Sequence, residues 1–141
     1  MGELFTFFGL ISENHNFLFL THMVLAAAIA VVLARFAMSN LQLVPQGTQN
    51  VMEAYIAGVL QMGTDVMGKL HARKYLPLVA TIGLFVGIAN LIGIIPGFEA
   101  PSANLNMTLT LALSVFVYYN YVGIKTHGVI KYFKHFTGPV W

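Results

Sequence analysis

The sequence has no cysteine and very little charge. Without cysteine there is no disulfide and no thiolate to hold a metal. Lysine and arginine together number 7 and aspartate and glutamate 5 in 141 residues, so only 9% of the chain is charged. A soluble domain carries about 25%. So small a polar fraction cannot face water on all sides. The formal net charge of +2 is too small to hold a nucleic acid. No Gly-rich Walker-type loop is present, so the chain itself is not expected to bind ATP. The five histidines, His15, His22, His71, His127 and His135, are scattered. His127 and His135 lie two helical turns apart, a poor chelating pair. No catalytic site, metal or cofactor is expected.

What the chain has is apolar length. The hydrophobic fraction is 57% and the mean hydropathy +0.75. Three runs carry it: 16–38, interrupted by His22 and Arg35, and 76–95 and 105–124, which hold no charge. A membrane-crossing helix needs about 20 apolar residues, and backbone groups in hydrocarbon must be satisfied within the segment. Strict alternation is absent, which argues against strands. The expectation is therefore an all-α integral membrane protein with three transmembrane helices. The first run is a poor signal peptide: no Lys or Arg precedes it, and it is long for an h-region. Pro77 is expected at the start of the second span and Pro96-Gly97 at its end.

The basic residues set an orientation. Arg35 ends the first run, Lys69, Arg73 and Lys74 precede the second, and Lys125, Lys131 and Lys134 follow the third. All of them fall on one side, while Glu3, Glu13 and Glu99 fall on the other. The positive-inside rule places the basic side in the cytoplasm and the N-terminus outside. The KYFKHF segment at 131–136 reads as an anchor at the cytoplasmic interface.

Between the first two spans, 48–70 has a helical period. Met52, Ile56, Val59, Gly63, Val66, Met67 and Leu70 share one face. Asn50, Glu53, Gln61, Thr64, Asp65 and Lys69 lie opposite. Thr48, after a Pro45-Gln46-Gly47 turn, is a candidate cap. This is expected to be an interfacial amphipathic helix, its apolar face in lipid or against another protein.

Several residues inside the spans invite packing or water. Gly83 and Gly87 form GxxxG, and with Asn90 and Gly93 they fall on one side of the second helix, a seam for close helix approach. Asn106, Thr110, Ser114, Val117 and Tyr121 form a stripe on the third. Its hydroxyls are expected to bond their own helix backbone. Asn90, Asn104 and Asn106 suit either helix packing or a hydrated route. His22 is the one ionisable group well inside a span, a functional candidate that equally suits snorkelling or pairing with Thr21.

Three stretches carry a resemblance: VPQGTQNVMEAYI (44–56), KYLPLVATIGLFVGIANLIGIIPG (74–97) and PSANLNMTLTLALSVF (101–116). In order and spacing they resemble subunit a of bacterial F-type ATP synthases. The resemblance implies a multi-pass subunit of the proton-translocating sector in the bacterial plasma (inner) membrane. Its implied partners are the c-ring, b subunits, membrane lipid and the translocated proton, with no nucleic acid. It implies a stator with two offset half-channels whose flow turns the ring. It makes Asn90, Ser102, Asn104 and Asn106 candidates for the outer access route. Gly93 stands where some members have a carboxylate, and Glu53 falls in a QN..E pattern with a structural or contact role. The family's essential arginine belongs to later helices, and Arg35 and Arg73 do not replace it. The chain is thus expected to be an N-terminal fragment, with a further helix starting at 139. Two other readings fit part of the pattern. One is a fragment of a secondary transporter, although no internal repeat is visible. The other is a small structural membrane protein.

Overall fold

The computed structural model describes residues 6–11, 14–39 and 41–136, with only the backbone described at 135 and 136. Glu3, Glu13 and the helix expected from 139 lie outside the described residues. Among the described residues all regular structure is helical. Five α-helices follow one another: α1 His15–Ser39, α2 Thr48–Met67, α3 Lys69–Ile92, α4 Leu105–His127 and α5 Val129–Phe136. Short 3-10 turns occupy Phe8–Leu10 and Pro101–Ala103. The chain divides into two compact units at Asn104/Leu105.

Helices α1, α3 and α4 have 25, 24 and 23 residues and are long and apolar enough to cross a membrane. At 1.5 Å per residue each is about 35 Å long, enough for a hydrocarbon core of about 30 Å. Helix α1 contains neither Gly nor Pro. Much of its apolar surface points outward: Val24, Val31, Val32 and Phe36 are all exposed, as are Leu109, Leu113, Phe116 and Val117 on α4. Water would penalise that surface; hydrocarbon does not.

In the first unit, α1 and α3 pack antiparallel. The residues they bury are mainly small: Ala26 and Ala37 on α1, Ala72 and Ala89 on α3, joined by Ile88 and Ile92. Small side chains let the two backbones approach, which is how helices gain contact energy where lipid is as apolar as the partner. Gly83 and Gly87 are both exposed. A Cβ at Gly87 would meet nothing within 4 Å.

Gly83 has a different neighbour. Tyr55 of α2 donates its hydroxyl to the Ala80 carbonyl of α3 at 2.7 Å. A Cβ at Gly83 would stand 2.7 Å from that hydroxyl oxygen. Burial pushes the Tyr55 phenol above its ordinary range, offset in part by a backbone hydrogen bond from Leu84. Nearer the corner, a Cβ at Gly63 would stand 3.3 Å from that of Ala72. The face α2 turns to α3 thus includes Tyr55 and Gly63, both half-buried. Tyr55 is not part of the apolar stripe expected from the sequence. The half-buried Thr64 bonds its hydroxyl back to the Leu60 carbonyl at 2.7 Å, which satisfies it within its own helix.

Several boundaries differ from those expected, each for a local reason. Helix α2 ends at Met67 and not at 70, because Gly68 takes φ 79° and ψ 158°. Only glycine adopts that conformation readily. Lys69 and Leu70 therefore belong to α3, which starts seven residues before the apolar run at 76. Pro77 lies inside the helix, where it cannot donate to the Arg73 carbonyl. The Pro77 carbonyl accepts a second bond from Thr81 Oγ1 at 2.7 Å. At the other end α3 stops at Ile92, before 95, and turns tighten through Ile94 and Ile95. Thr48 is the first residue of α2 and no side chain caps the helix. Helices α1 (15–39, against 16–38) and α4 (105–127, against 105–124) run slightly past their apolar runs.

In the second unit Gly128, at φ 77°, turns the chain from α4 into α5. Tyr132 of α5 is buried and donates its hydroxyl to Asn120 Oδ1 of α4 at 2.9 Å. Gly123 makes room for the ring, since a Cβ there would stand 2.8 Å from Tyr132 Cδ2.

The Tyr55–Gly83 contact gives a double-mutant test. Tyr55→Phe is expected to lower the unfolding free energy in detergent by about 1 kcal/mol. Gly83→Ala is expected to cost about 1–3 kcal/mol by overpacking. The second loss shrinks in the Tyr55→Phe background by at least ~0.5 kcal/mol. Strict additivity of the two would show that the hydroxyl does not sit over Gly83.

Candidate functional site

Two of the polar residues singled out in the sequence, Asn90 and Ser102, lie at the end of the α1–α3 pair where α3 gives way to 93–104. Asn90 lies in the last turn of α3, and Ser102 in the 3-10 turn at Pro101–Ala103. Ser102 Oγ donates to Asn90 Oδ1 at 2.6 Å. Asn90 is exposed and Ser102 half-buried, so the pair lies at a surface.

The segment 93–104 can return to α3 because of Gly93. A Cβ at Gly93 would stand 2.9 Å from the Ala100 Cα and 3.0 Å from its nitrogen. Any side chain there, a carboxylate included, would push this loop off the helix end. Asn104 closes the 3-10 turn, its N–H donating to the Pro101 carbonyl at 3.1 Å. Asn106 belongs to the first turn of α4, in the other unit, and its carbonyl accepts Thr110 Oγ1 at 2.6 Å. Of the four residues, Asn90 and Ser102 are thus brought together.

A cap covers this end. Phe7 N–H donates to the Gly97 carbonyl at 3.0 Å. Gly97 has φ 90°, and a Cβ on it would strike the Phe7 ring, 2.7 Å from Cδ2. The rings continue the tie: Phe7 to Phe98 at 5.4 Å, Phe8 to Phe98 at 6.0 Å and Phe8 to His22 at 5.0 Å edge-on. His22 also meets Phe98 at 5.9 Å, again edge-on. Tilted and edge-on rings at these distances attract one another beyond their buried area.

His22 is the largest fully buried side chain among the described residues, at 1% exposure. It does not snorkel. It does not pair with Thr21 either, whose hydroxyl bonds the Phe17 carbonyl at 2.7 Å. Its Nδ1 lies 2.7 Å from the Leu18 carbonyl. A carbonyl only accepts, so Nδ1 carries the hydrogen.

A second polar knot ties the start of α2 to the segment before it, and it includes Glu53 of the QN..E pattern. Gln49 is buried, and its Oε1 accepts from the Gln42 N–H at 3.0 Å. Its Nε2 donates to the Gln42 carbonyl at 3.0 Å and to Glu53 Oε1 at 2.7 Å. The amide thereby pairs with both backbone groups of one residue, as a strand neighbour would. Glu53 supports it from the next turn. The Gln-x-x-x-Glu spacing was the available signal, at one helical turn.

On α4 the polar stripe turns inward on its own backbone. Thr108, Thr110, Ser114 and Thr126 donate to carbonyls of the preceding turn, and Asn120 Nδ2 to the Phe116 carbonyl at 2.6 Å. These groups need no partner to sit in hydrocarbon.

The sequence profile of the family described as "ATP synthase A chain" matches residues 19–141. The chain belongs to this family. It is 73% identical to ATP synthase subunit a of Sulfurimonas denitrificans over 141 residues, covering 100% of this chain and 63% of that one. Against ATP synthase subunit a of Nitratiruptor sp. it is 62% identical over 140 residues, with 99% and 62% covered. The figures for Campylobacter fetus are 59% over 140 residues, with 99% and 62% covered. The chain thus spans about three fifths of the length of these ATP synthase A chain relatives. No solved structure matches.

The cap should depend on residue 97. Gly97→Ala is expected to cost about 1–2 kcal/mol from the left-handed backbone alone and to displace Phe7 as well. Amide exchange, followed by mass spectrometry, should speed up together in 6–11 and 97–104. Faster exchange in only one of the two segments would mean that they are not tied.

Proposed function

We propose that this chain forms the N-terminal part of the stator channel subunit in the membrane sector of an F-type ATP synthase. The observation that carries this reading is the family match over 19–141, borne by three helices of membrane length. In this reading the subunit stands beside the c-ring with b subunits in the bacterial inner membrane. It offers the ion two offset half-channels, and flow through them turns the ring. The basic ends of the helices face the cytoplasm, in line with the one-sided placement of lysine and arginine. The N-terminus and the capped end of the α1–α3 pair face outward. Helix α2 rides at the cytoplasmic interface, held by Tyr55 to the first half of α3. The essential arginine and the ring-facing helices belong to the remaining part of the relatives' length.

The chemistry available to this chain is access. Asn90 and Ser102 present an amide and a hydroxyl side by side at the outward end of an otherwise apolar helix pair. Such groups hold water where the surrounding side chains repel it. They carry no fixed charge, so they let protons approach without trapping them. Asn104 and Asn106 extend the same polar character along the chain. Gly83 and Gly87 serve helix approach: Gly83 admits Tyr55, and Gly87 leaves a smooth face for another helix of the complex. The c-ring carboxylate needs a charged barrier between half-channels, and no residue of this chain supplies one.

The test uses the full-length subunit in its complete complex. The complex should co-purify with the c-ring and b subunits and pump protons on ATP hydrolysis in inverted vesicles. Asn90→Leu and Ser102→Ala should each lower the proton flux about fivefold, the worth of roughly one hydrogen bond to a transported species, without loss of assembly. Failure to associate with a c-ring would refute the proposal. Unchanged flux in both variants would remove these residues from the access route.

A further inference from the structure

His22 is a base enclosed among aromatic rings. Its Nδ1 hydrogen is committed to the Leu18 carbonyl, which leaves the lone pair of Nε2 pointing away from its own helix turn. Nε2 is buried and has no hydrogen-bond partner among the described residues. A buried acceptor left unsatisfied is destabilising, and a phenylalanine in the same aromatic cluster would not incur that cost. The surroundings do nothing to satisfy it: the neighbouring rings are Phe8 and Phe98, both edge-on. Phe98 stands in the same loop as Ser102, the partner of Asn90.

We propose that His22 is a proton-accepting station on the outward access route, taking a proton on Nε2 and releasing it from the same atom. This rests on the functional reading above and adds a residue to it. The balance is simple. A hydrated proton binds the Nε2 lone pair to give the imidazolium, while Nδ1 keeps its hydrogen on the Leu18 carbonyl. Loss of the Nε2 proton to the next water restores the neutral ring. The tautomer never changes, because Nδ1 has no second route. The aromatic lid of Phe7, Phe8 and Phe98 keeps bulk water from short-circuiting the step. The other titratable groups on the elements packed here are Glu99, next to Phe98, His15, seven residues earlier on α1, and Arg35, thirteen residues further along α1. The 3-10 turn Phe8–Leu10 and the outward half of α3 contribute none.

The experiment is made on the complete enzyme in liposomes, with the full-length subunit. Solid-state nitrogen NMR on histidine-labelled complex, with His22→Phe for assignment, should show the Nε2 signal of His22 moving between bare and protonated positions as the outside pH is lowered. The Nδ1 signal should stay that of a protonated nitrogen. A fixed Nε2 signal would overturn the proposal. In parallel, His22→Phe keeps an aromatic ring in the cluster, and His22→Gln keeps a hydrogen-bond acceptor. Both should lower ATP-driven proton flux about tenfold or more and remove a one-proton step from its dependence on outside pH. Full flux with an unchanged pH profile in His22→Gln would make His22 a hydrogen-bonding or packing residue only. If His22→Phe does not assemble, His22→Gln and the NMR titration decide. Wild-type complex that moves no protons at all would sink the functional reading itself, whereas wild-type coupling with an inert His22 sinks this inference alone.

Discussion

In hydrocarbon no water answers an unpaired peptide group, so each apolar segment must close its own hydrogen bonds. The rest of this structure follows from that requirement. Helices α1, α3 and α4 satisfy it along their length, and the irregular backbone is confined to their ends. Where side chains carry hydroxyls or amides, as at Thr110, Ser114 and Asn120, they turn to carbonyls of the preceding turn. Pro77 is the one interior break in the ladder of α3, and it lies toward the basic end of the helix, close to Arg73 and Lys74.

The same requirement explains where the fold invests its unusual conformations. Gly68, Gly97 and Gly128 each take positive φ at a corner between elements. Each corner is then locked by a side chain reaching across it. Tyr55 reaches from α2 to Ala80, Phe7 and Phe98 close over Gly97, and Tyr132 reaches from α5 to Asn120. Turn and clasp are separate devices. The glycine permits the direction, and the aromatic residue holds it.

Much of this was legible in the sequence. Apolar run length marks three helices, because a bilayer imposes its thickness on the chain. Their ends were less legible. Composition reports where lipid begins, whereas a helix ends where its backbone finds a reason to stop. Hence α3 starts at Lys69, after Gly68, and not where charge gives way to leucine. Of the GxxxG pair, Gly83 lies against Tyr55 of α2, while the buried small residues of α1 and α3 are alanines at 26, 37, 72 and 89. Asn90 was visible as an amide in an apolar run, and Ser102 came from the family resemblance. Their meeting depends on Gly93 admitting Ala100, a matter of clearance that no periodicity records. The burial of His22 was invisible for a similar reason. It needs Phe8 and Phe98, which stand fourteen residues before it and seventy-six after it.

That last separation also sets an order of events. A ribosome delivers α1 to the membrane long before it makes Phe98. Until α3 has inserted and its following loop has turned at Gly97, no ring lies on the far side of His22 and no carbonyl receives the Phe7 amide. The cap is therefore a late product of biogenesis: Phe7 waits for the ninety-seventh residue. During that interval the imidazole is open to whatever the insertion machinery and the headgroups present. Closure over it marks the moment at which the α1–α3 pair has become a finished unit.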